Sequence, residues 1–191
     1  MAQKRAKKSA KKGFPFPWIA IAAGAATFFL LVLLFIRYGD EIFPPPVPEK
    51  VVTEQKVALY FSDAEGRGLK AEERSIRKGD LEGELSEVID GLISGPRGEL
   101  LPTIPEGTLL LTVEVKGDVA YINLSRSFVE NHSGGSSGEL HTIYSLVNSI
   151  VLNFPRVKEV QLLIEGRRRS TLAGHIEIDY PLTPNKKMVK R

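Results

Sequence analysis

Three consecutive arginines, Arg167, Arg168 and Arg169, form the densest run of like charge after residue 37. A guanidinium group presents planar N–H donors that match carboxylate and phosphate oxygens in pairs. We therefore predict that these three side chains bind an anionic partner. A turn in which they are simply solvated is the alternative.

The other residues that could carry chemistry do not fall into a known catalytic or metal-binding spacing. His132, His141 and His175 are not part of an H-E-x-x-H pattern, and the chain has no cysteine to complete a zinc site. We expect surface or capping roles for all three. Ser125 lies outside any G-x-S-x-G motif and is expected to cap a turn. The sequence therefore predicts no catalytic residue, no metal site and no cofactor.

The glycine-rich segment 134–138 precedes a helix and could hold an anion through backbone N–H groups. A phosphate-binding loop would need the pattern G-x-x-x-x-G-K-[ST], and no lysine follows here. The S-x-x-E spacing of Ser136 and Glu139 instead predicts a capping box, in which each side chain bonds the backbone of the other residue.

Alternating strand and helix patterns across residues 56–182 must position these side chains. Apolar residues at intervals of three and four predict two helices, and Asp80 is placed to cap the first. Runs rich in β-formers around glycine turns predict about six strands. The predicted segments are strands 56–62 and 69–77, a helix at 80–93, strands 108–116 and 119–124, a helix at 136–154, and strands 157–165 and 170–178. The fold class is α+β, with two helices packed on one face of a sheet.

Residues 18–36 are 19 residues without a charge, WIAIAAGAATFFLLVLLFI. As a helix they would span roughly 28 Å, close to the thickness of the hydrocarbon core of a bilayer. Signal-peptide apolar regions are usually shorter and end in an A-x-A-like site, which is not found after Ile36. An uncleaved transmembrane signal-anchor is therefore predicted, and a cleaved signal peptide is the alternative.

The net charge of +3 conceals a segregation along the chain. Residues 1–13 hold six basic residues and no acid, whereas residues 54–182 hold 14 basic and 20 acidic residues. The positive-inside rule places the N-terminus in the cytoplasm and residues 37–191 outside, in the periplasm if there is an outer membrane. Because the basic excess is not on the folded domain, no nucleic-acid partner is predicted.

The chain is therefore predicted to consist of five segments. They are a basic cytoplasmic tail at 1–17, the anchor at 18–36, a Pro-rich linker at 37–55, the folded domain at 56–182 and a basic C-terminal tail at 183–191. The linker contains Pro44-Pro45-Pro46-Val47-Pro48, which favours a semi-rigid polyproline II spacer. The C-terminal tail is expected to be disordered.

Several short segments have a suggestive order and spacing. They are LISGP at 92–96, IPEGT at 104–108, YINLS at 121–125 with Phe128, the glycines at 134–135 before Glu139, FPRV at 154–157 and IEG at 164–166. Together they resemble the GerMN (sporulation and spore germination) domain over about residues 56–180. The resemblance implies a non-enzymatic envelope module associated with spore assembly or germination and, more loosely, with peptidoglycan. Known members are lipoproteins, whereas this chain has an apolar run and no cysteine.

From these observations we expect a single-pass membrane protein that is not an enzyme. Its extracytoplasmic domain is predicted to bind envelope proteins or peptidoglycan through Arg167–Arg169. Two alternatives stay open. One is a self-associating scaffold or ring subunit, which would be a homo-oligomer, and the other is a cell-wall hydrolase with an unrecognised site.

Overall fold

The structure, a computed structural model, describes residues 16–42 and 53–190. The chain divides into two compact units, residues 1–50 and 51–191. In the first unit, helix α1 (Phe16–Ile42) contains an apolar stretch, Trp18–Tyr38, of 21 residues with a mean hydropathy of 2.7. By length and composition this stretch is able to cross a membrane, although a signal sequence would have the same properties.

Helix α1 differs in length from the predicted anchor at 18–36. It continues to Ile42, into the first residues of the predicted linker. The greater part of the predicted basic tail, residues 1–15, and the remaining linker residues 43–52 lie outside the described residues. The proposed division into tail, anchor and linker therefore stays a prediction.

The second unit begins with an antiparallel hairpin, β1 (Glu54–Ser62) and β2 (Leu69–Arg77). Asp63 shapes the turn between the strands. Its Oδ1 accepts a 2.6 Å hydrogen bond from the backbone N–H of Arg67, and its own N–H donates to the carbonyl of Gly68. The sequence predicted this hairpin and its glycine-containing turn.

Helix α2 (Leu81–Ile93) begins as predicted, because Oδ1 of Asp80 accepts a 2.7 Å hydrogen bond from the N–H of Gly83. Its other end is satisfied by a side chain from β2. The buried guanidinium of Arg74 donates to the carbonyl of Gly95 at 2.7 Å and to Oε1 of Glu72 at 2.7 Å. The buried cation thus bonds a carbonyl just beyond α2 and a carboxylate, which compensates for its loss of water.

The remaining elements form a three-stranded sheet and its crossover. They are β3 (Leu110–Lys116), β4 (Val119–Leu124), the short helix α3 (Ser127–Glu130), α4 (Ser136–Val151) and β5 (Glu159–Ile164). Strands β3 and β4 form the predicted antiparallel hairpin, and β5 joins β4 in parallel after the helical crossover. The inner faces of both sheets, α2 and α4 share one apolar core. Its largest fully buried side chains are Phe61, Phe128, Leu59, Leu69, Leu85, Ile89, Leu92, Ile122, Leu124, Ile143, Leu146 and Ile150.

Helix α4 covers the open edge of β1 with a polar stripe rather than an apolar one. Ser149 Oγ accepts a 2.9 Å hydrogen bond from the N–H of Tyr60, and Ser145 Oγ donates to its carbonyl. Asn153, just beyond the helix, accepts from the N–H of Ala58 at 2.9 Å and donates to its carbonyl at 2.8 Å. The edge of β1 is therefore satisfied by side chains instead of by another strand, which keeps the two sheets separate.

The α+β class is confirmed, but the described chain holds five strands in two sheets rather than about six in one. The predicted final strand at 170–178 makes only an isolated bridge between Thr171 and Glu177. Three backbone N–H groups in this segment bond the carboxylate of Glu139, so they are not available to a sheet.

The basic C-terminal segment, expected to be disordered, packs against the domain through residue 190. Asn185 exchanges two hydrogen bonds with the buried Asn148, and the N–H of Lys190 donates to the carbonyl of Leu69 at 2.7 Å. A short 3-10 helix, Lys186–Met188, lies between these attachments. Periodicity could not predict this ordering, because the segment has no apolar repeat and is fixed by individual polar contacts.

Candidate functional site

The arginines predicted to bind a partner line an open groove with a volume of about 560 Å³. They are joined there by a fourth arginine, Arg126, from the start of α3. Sequence reasoning missed Arg126 because it is isolated in the chain and reaches the groove only through the fold. The groove is lined by Arg126, Val129, Glu130, Ile164, Glu165, Arg167, Arg168 and Arg169.

A tight turn at the end of β5 presents the arginine run. Ile164 and Arg167 exchange two backbone hydrogen bonds, of 2.8 and 3.0 Å, across the two residues between them. Those residues both have positive φ, 51° at Glu165 and 76° at Gly166, as a two-residue I′ turn requires. Glu165 is the one residue other than glycine with positive φ in the described part of the chain, so its backbone must be held by other contacts.

Those contacts come from the end of the neighbouring strand β4. The side chain of Asn123 accepts a 2.7 Å hydrogen bond from the N–H of Gly166, and the carbonyl of Leu124 accepts one of 3.0 Å from the N–H of Glu165. The carboxylate of Glu165 in turn accepts a 2.9 Å hydrogen bond from the N–H of Arg126. The turn and the start of α3 are therefore fixed to each other, which sets the geometry of the groove.

The guanidinium groups in the groove keep most of their donors free. Arg167 has no hydrogen-bond or ion-pair partner for its side chain among the described residues. Arg168 donates once, at 3.2 Å, to the carbonyl of Asp179, and Arg169 donates once, at 3.2 Å, to the carbonyl of Thr171. Because each guanidinium has five N–H donors, the run can still form several hydrogen bonds to a ligand.

Two acidic side chains line the groove but do not neutralise it. Glu130 forms an exposed 3.8 Å ion pair with Arg126, and the carboxylate of Glu165 is engaged by the backbone. Four arginines against two glutamates leave the groove positive, in a domain where acids outnumber bases. This arrangement suits a ligand that carries carboxylate or phosphate groups.

A buried carboxylate, that of Glu139, holds the loop that follows the arginine run. The side chain is fully buried, and its Oε2 accepts hydrogen bonds from the N–H groups of Ala173, His175 and Ile176 at 3.0–3.3 Å. Its Oε1 accepts a 2.6 Å hydrogen bond from Nδ1 of His175. Burial alone would raise the pKa of Glu139, but these donors outweigh it and lower the pKa to about 2.

The predicted capping box between Ser136 and Glu139 is therefore wrong. The residue preceding α4 is Gly135, with φ 84°, and no side chain caps the helix. Glu139 turns away from the backbone of its own helix because the loop at 173–176 offers three N–H donors at once. The S-x-x-E spacing correctly marks Glu139 as a hydrogen-bond acceptor. It predicts a partner in the same helix turn, whereas the partners lie in the distant loop at 173–176.

A second, smaller pocket of about 220 Å³ contains two of the histidines, His132 and His141. Nδ1 of His132 accepts a 2.9 Å hydrogen bond from the N–H of Gly134, so its proton is on Nε2, which lies 3.1 Å from Oγ1 of Thr142. The hydroxyl of Thr142 in turn donates a 2.7 Å hydrogen bond to the carbonyl of Thr103. His132 therefore acts as a cap for the loop before α4.

His141 forms a pair with a serine in the same pocket. Its Nδ1 lies 3.3 Å from Oγ of Ser62, and burial lowers the pKa of His141, although the charge of Asp63 acts in the opposite direction. A serine beside an imidazole is the beginning of a nucleophilic site, but such a site also needs a group that orients the base. In the described part of the chain no carboxylate bonds the imidazole of His141, and Ser62 is only 6% exposed.

His175 lies apart from that pocket, on the carboxylate of Glu139. Ser125, expected to cap a turn, pairs with Leu109: its Oγ accepts from the N–H of Leu109 at 2.9 Å, and its own N–H donates to the carbonyl. Across residues 16–42 and 53–190, no three His, Cys, Asp or Glu side chains come close enough together to hold a metal ion.

Comparison with known proteins matches the C-terminal unit to one family. The sequence model of the Germane family, described as sporulation and spore germination, matches residues 58–170, more than half of the chain. No curated protein has a sequence that matches the chain significantly.

The solved structures that share the fold include the following three. A protein from Clostridium perfringens described as a lipoprotein is 26% identical, with a TM-score of 0.51 over 72% of this chain and 92% of its own. The tandem GerMN domains of the Bacillus subtilis sporulation protein GerM give a TM-score of 0.57 at 17% identity, over 69% of this chain and 46% of that one. The first GerMN domain of GerM gives 0.53 at 17% identity, over 68% and 97% of the two chains.

Proposed function

The chain belongs to the sporulation and spore germination family, and from this membership we propose that it is a membrane-anchored extracytoplasmic binding module. In this proposal α1 holds the chain in the membrane, and the domain binds an envelope protein or peptidoglycan without catalysing a reaction. The groove formed by Arg126 and Arg167–Arg169, here called the arginine groove, recognises carboxylate groups on the partner.

Membrane anchoring is supported by α1 and by the charges around it. The 21 residues of its apolar stretch carry no acid, and six bases within residues 1–13 precede it. These flanks favour a cytoplasmic N-terminus and an extracytoplasmic domain. A protein from Clostridium perfringens with a similar fold is described as a lipoprotein.

The chain's lack of cysteine allows a direct test of this topology. Cysteine is introduced at Ser9 in one variant and at the exposed Arg97 in another, and intact cells are treated with a membrane-impermeant thiol reagent. We expect labelling at position 97 and none at position 9 until the cells are lysed. Labelling at position 9 in intact cells, or release of the domain from washed membranes, would contradict the anchor.

The observation that carries the binding proposal is the unpaired guanidinium of Arg167 in a preformed groove. Acidic residues outnumber basic ones in this domain, yet none pairs with Arg167 among the described residues. Here the carboxylate of Glu165 accepts a hydrogen bond from the backbone N–H of Arg126, and Glu130 forms an exposed 3.8 Å ion pair with the Arg126 side chain. The donors of the arginine run are thus left for an external ligand.

A binding experiment can use residues 51–191 alone, because the apolar core lies entirely within residues 57–182. An isolated domain of this fold, the first GerMN domain of GerM, has also been solved. Isolated peptidoglycan and a poly-glutamate peptide serve as the two carboxylate-bearing ligands. We expect binding to at least one of them that is lost when Arg167, Arg168 and Arg169 are all replaced with Ser.

The control for this experiment removes three exposed basic residues that already have acidic partners, Lys56, Arg77 and Lys116. This variant loses the same formal charge as the arginine variant. If both variants lose binding equally, the effect is one of net charge and the arginine groove is not the site.

Self-association is a second candidate function, favoured by the open edge of β3. This strand pairs with β4 on one side only, and two leucines beside the edge are exposed, Leu109 by 62% and Leu111 by 42%. An open edge strand can pair with a second copy of a chain. Sedimentation of residues 51–191 over a range of concentrations tests this, and a monomer at every concentration would rule it out for the isolated domain.

A further inference from the structure

We propose that a second basic surface docks the domain onto the anionic phospholipid headgroups of the bilayer that holds α1. This surface, here called the C-terminal basic face, consists of five exposed side chains: Arg67, Lys70, Lys186, Lys187 and Lys190. The proposal rests on the membrane anchoring proposed above. It involves none of the residues of the arginine groove.

The five residues lie near one another because residues 186–190 run beside the start of β2. Leu69 and Val189 form a parallel bridge, and the N–H of Lys190 donates to the carbonyl of Leu69 at 2.7 Å. Every member of the C-terminal basic face lies within three residues of this bridge along the chain. Two segments that are more than 110 residues apart in the sequence thus contribute to one surface.

The C-terminal segment is held in place by specific contacts. The fully buried side chain of Asn148 accepts from the N–H of Asn185 at 2.9 Å and donates to its carbonyl at 3.1 Å. Gly68 allows the segment to approach closely, since a Cβ at this position would lie 2.8 Å from the carbonyl oxygen of Met188. A basic segment fixed in this way loses little conformational freedom when it binds.

Most of the positive charges on the C-terminal basic face are not neutralised by an ion pair. Lys70, Lys186, Lys187 and Lys190 have no ion-pair partner among the described residues. Arg67 forms an exposed ion pair with Glu65 at 3.3 Å. Lysines that remain unpaired on a domain with an acidic excess concentrate positive potential at one place, as a docking site for a polyanion requires.

The bilayer is the polyanion to which the chain is already tethered. Residues 43–53 connect α1 to β1, and a chain of this length can reach at most roughly 40 Å. A domain of this size has a radius of gyration of about 14 Å, so the tether keeps it within about one or two diameters of the lipid. Tethering raises the local concentration of headgroups, and each Lys or Arg near an anionic surface adds to the attraction.

Cosedimentation with lipid vesicles tests the proposal on residues 51–191. One set of vesicles contains equal parts of phosphatidylglycerol and phosphatidylcholine, and the other contains phosphatidylcholine alone. We expect binding only to the anionic vesicles, weakened by added salt, and reduced about tenfold or more when Lys186, Lys187 and Lys190 are replaced with Ser. The same replacement of Arg167, Arg168 and Arg169 should leave vesicle binding unchanged.

Three results would overturn the inference. They are equal binding to both kinds of vesicle, anionic binding that survives the lysine replacements, and lysine-dependent binding to soluble polyphosphate without binding to vesicles. The last result would assign the face to a free phosphate polymer. A failure of the membrane anchor itself would be detected separately, by the cysteine labelling of whole cells.

Discussion

The buried carboxylate of Glu139 accepts a 2.6 Å hydrogen bond from Nδ1 of His175, and this contact joins the first turns of α4 to a loop 36 residues further along the chain. The same carboxylate accepts hydrogen bonds from three backbone N–H groups of that loop. The loop continues directly from the segment that carries Arg167–Arg169. A residue outside the arginine groove therefore fixes the segment on which the groove depends.

Replacing Glu139 with Gln should destabilise the domain by about 2–3 kcal/mol, because a buried charged acceptor loses several hydrogen bonds and the amide places a donor against N–H groups. Denaturant unfolding of residues 51–191 measures this. The matched control is Ser136→Ala, for which we expect a change within about 0.5 kcal/mol because Ser136 does not cap α4. If Ser136→Ala costs as much as Glu139→Gln, the capping box exists and the hydrogen bonds between Glu139 and the loop at 173–176 are not the cause of the loss.

The depressed pKa of Glu139 also predicts a pH dependence. The pKa is about 2 in the folded domain and 4.5 ordinarily, so the folded state favours the ionised form. The resulting stability is complete above pH 4.5 and is lost as the pH falls towards 2. The free energy of unfolding of the natural domain should therefore decline more steeply across this window than that of Glu139→Gln.

The natural domain must be compared with Glu139→Gln because other carboxyl groups also have lowered pKa values in the folded state. Backbone and arginine partners lower the pKa values of Asp63 and Glu87 as well. Their contribution is common to both proteins and cancels in the difference. Parallel curves over this window would show that the carboxylate of Glu139 is not selectively stabilised.

The local elements of the fold could be predicted from the sequence because their signals are local. The hairpin around Gly117 and the cap at Asp80 each depend on residues a few positions apart. The predicted strand at 170–178 is absent because three of its N–H groups bond Glu139. The separation of the two sheets depends on polar side chains of α4 that bond β1. Both effects arise from contacts between distant segments, which periodicity does not record.

Only part of the candidate site could be predicted from the sequence, for the same reason. The arginine run is contiguous and stands out in the chain. The contribution of Arg126 requires the tertiary fold. The same is true of the separate C-terminal basic face, where Lys190 bonds the backbone of Leu69. The position of the tight turn after β5 could be predicted from Gly166. The positive φ of Glu165 could not, because it depends on contacts with β4 and α3.

The polar stripe of α4 predicts that Asn153 is important for stability. Asn153→Ala should cost about 2 kcal/mol, because the N–H and carbonyl of Ala58 lose their partners at a part-buried edge. Thermal unfolding measures the change. Asn131→Ala, which removes an exposed hydrogen bond to the carbonyl of Glu106, is the control and should cost about 0.5 kcal/mol or less. Equal losses would mean that β1 does not rely on Asn153.

The arginine run should be dispensable for folding. Replacing Arg167, Arg168 and Arg169 with Ser is expected to change the free energy of unfolding by about 1 kcal/mol or less, since all three side chains are exposed and make few contacts. Denaturant unfolding checks this on residues 51–191. A collapse of stability would make the run structural and would remove the basis for the binding proposal.

The proposed absence of catalysis is tested at Ser62 and His141, the pair whose chemistry comes nearest to that of a nucleophilic site. We expect residues 51–191 to release no soluble fragments from isolated peptidoglycan. Ser62→Ala and His141→Ala should then leave peptidoglycan binding unchanged. Release of fragments by the natural domain that disappears in Ser62→Ala would establish the hydrolase alternative.

The central claim, that the arginine groove holds an envelope partner, is tested most directly by photo-crosslinking in living cells. A photoreactive residue is placed at the exposed Ser170, beside the arginine run, in the full-length protein, and a control is placed at Glu73 on the exposed surface of β2. We expect a crosslink to an envelope protein or to peptidoglycan from position 170 that is lost when Arg167, Arg168 and Arg169 are replaced with Ser. The same crosslinks from both positions, or a crosslink that survives the arginine replacements, would contradict it.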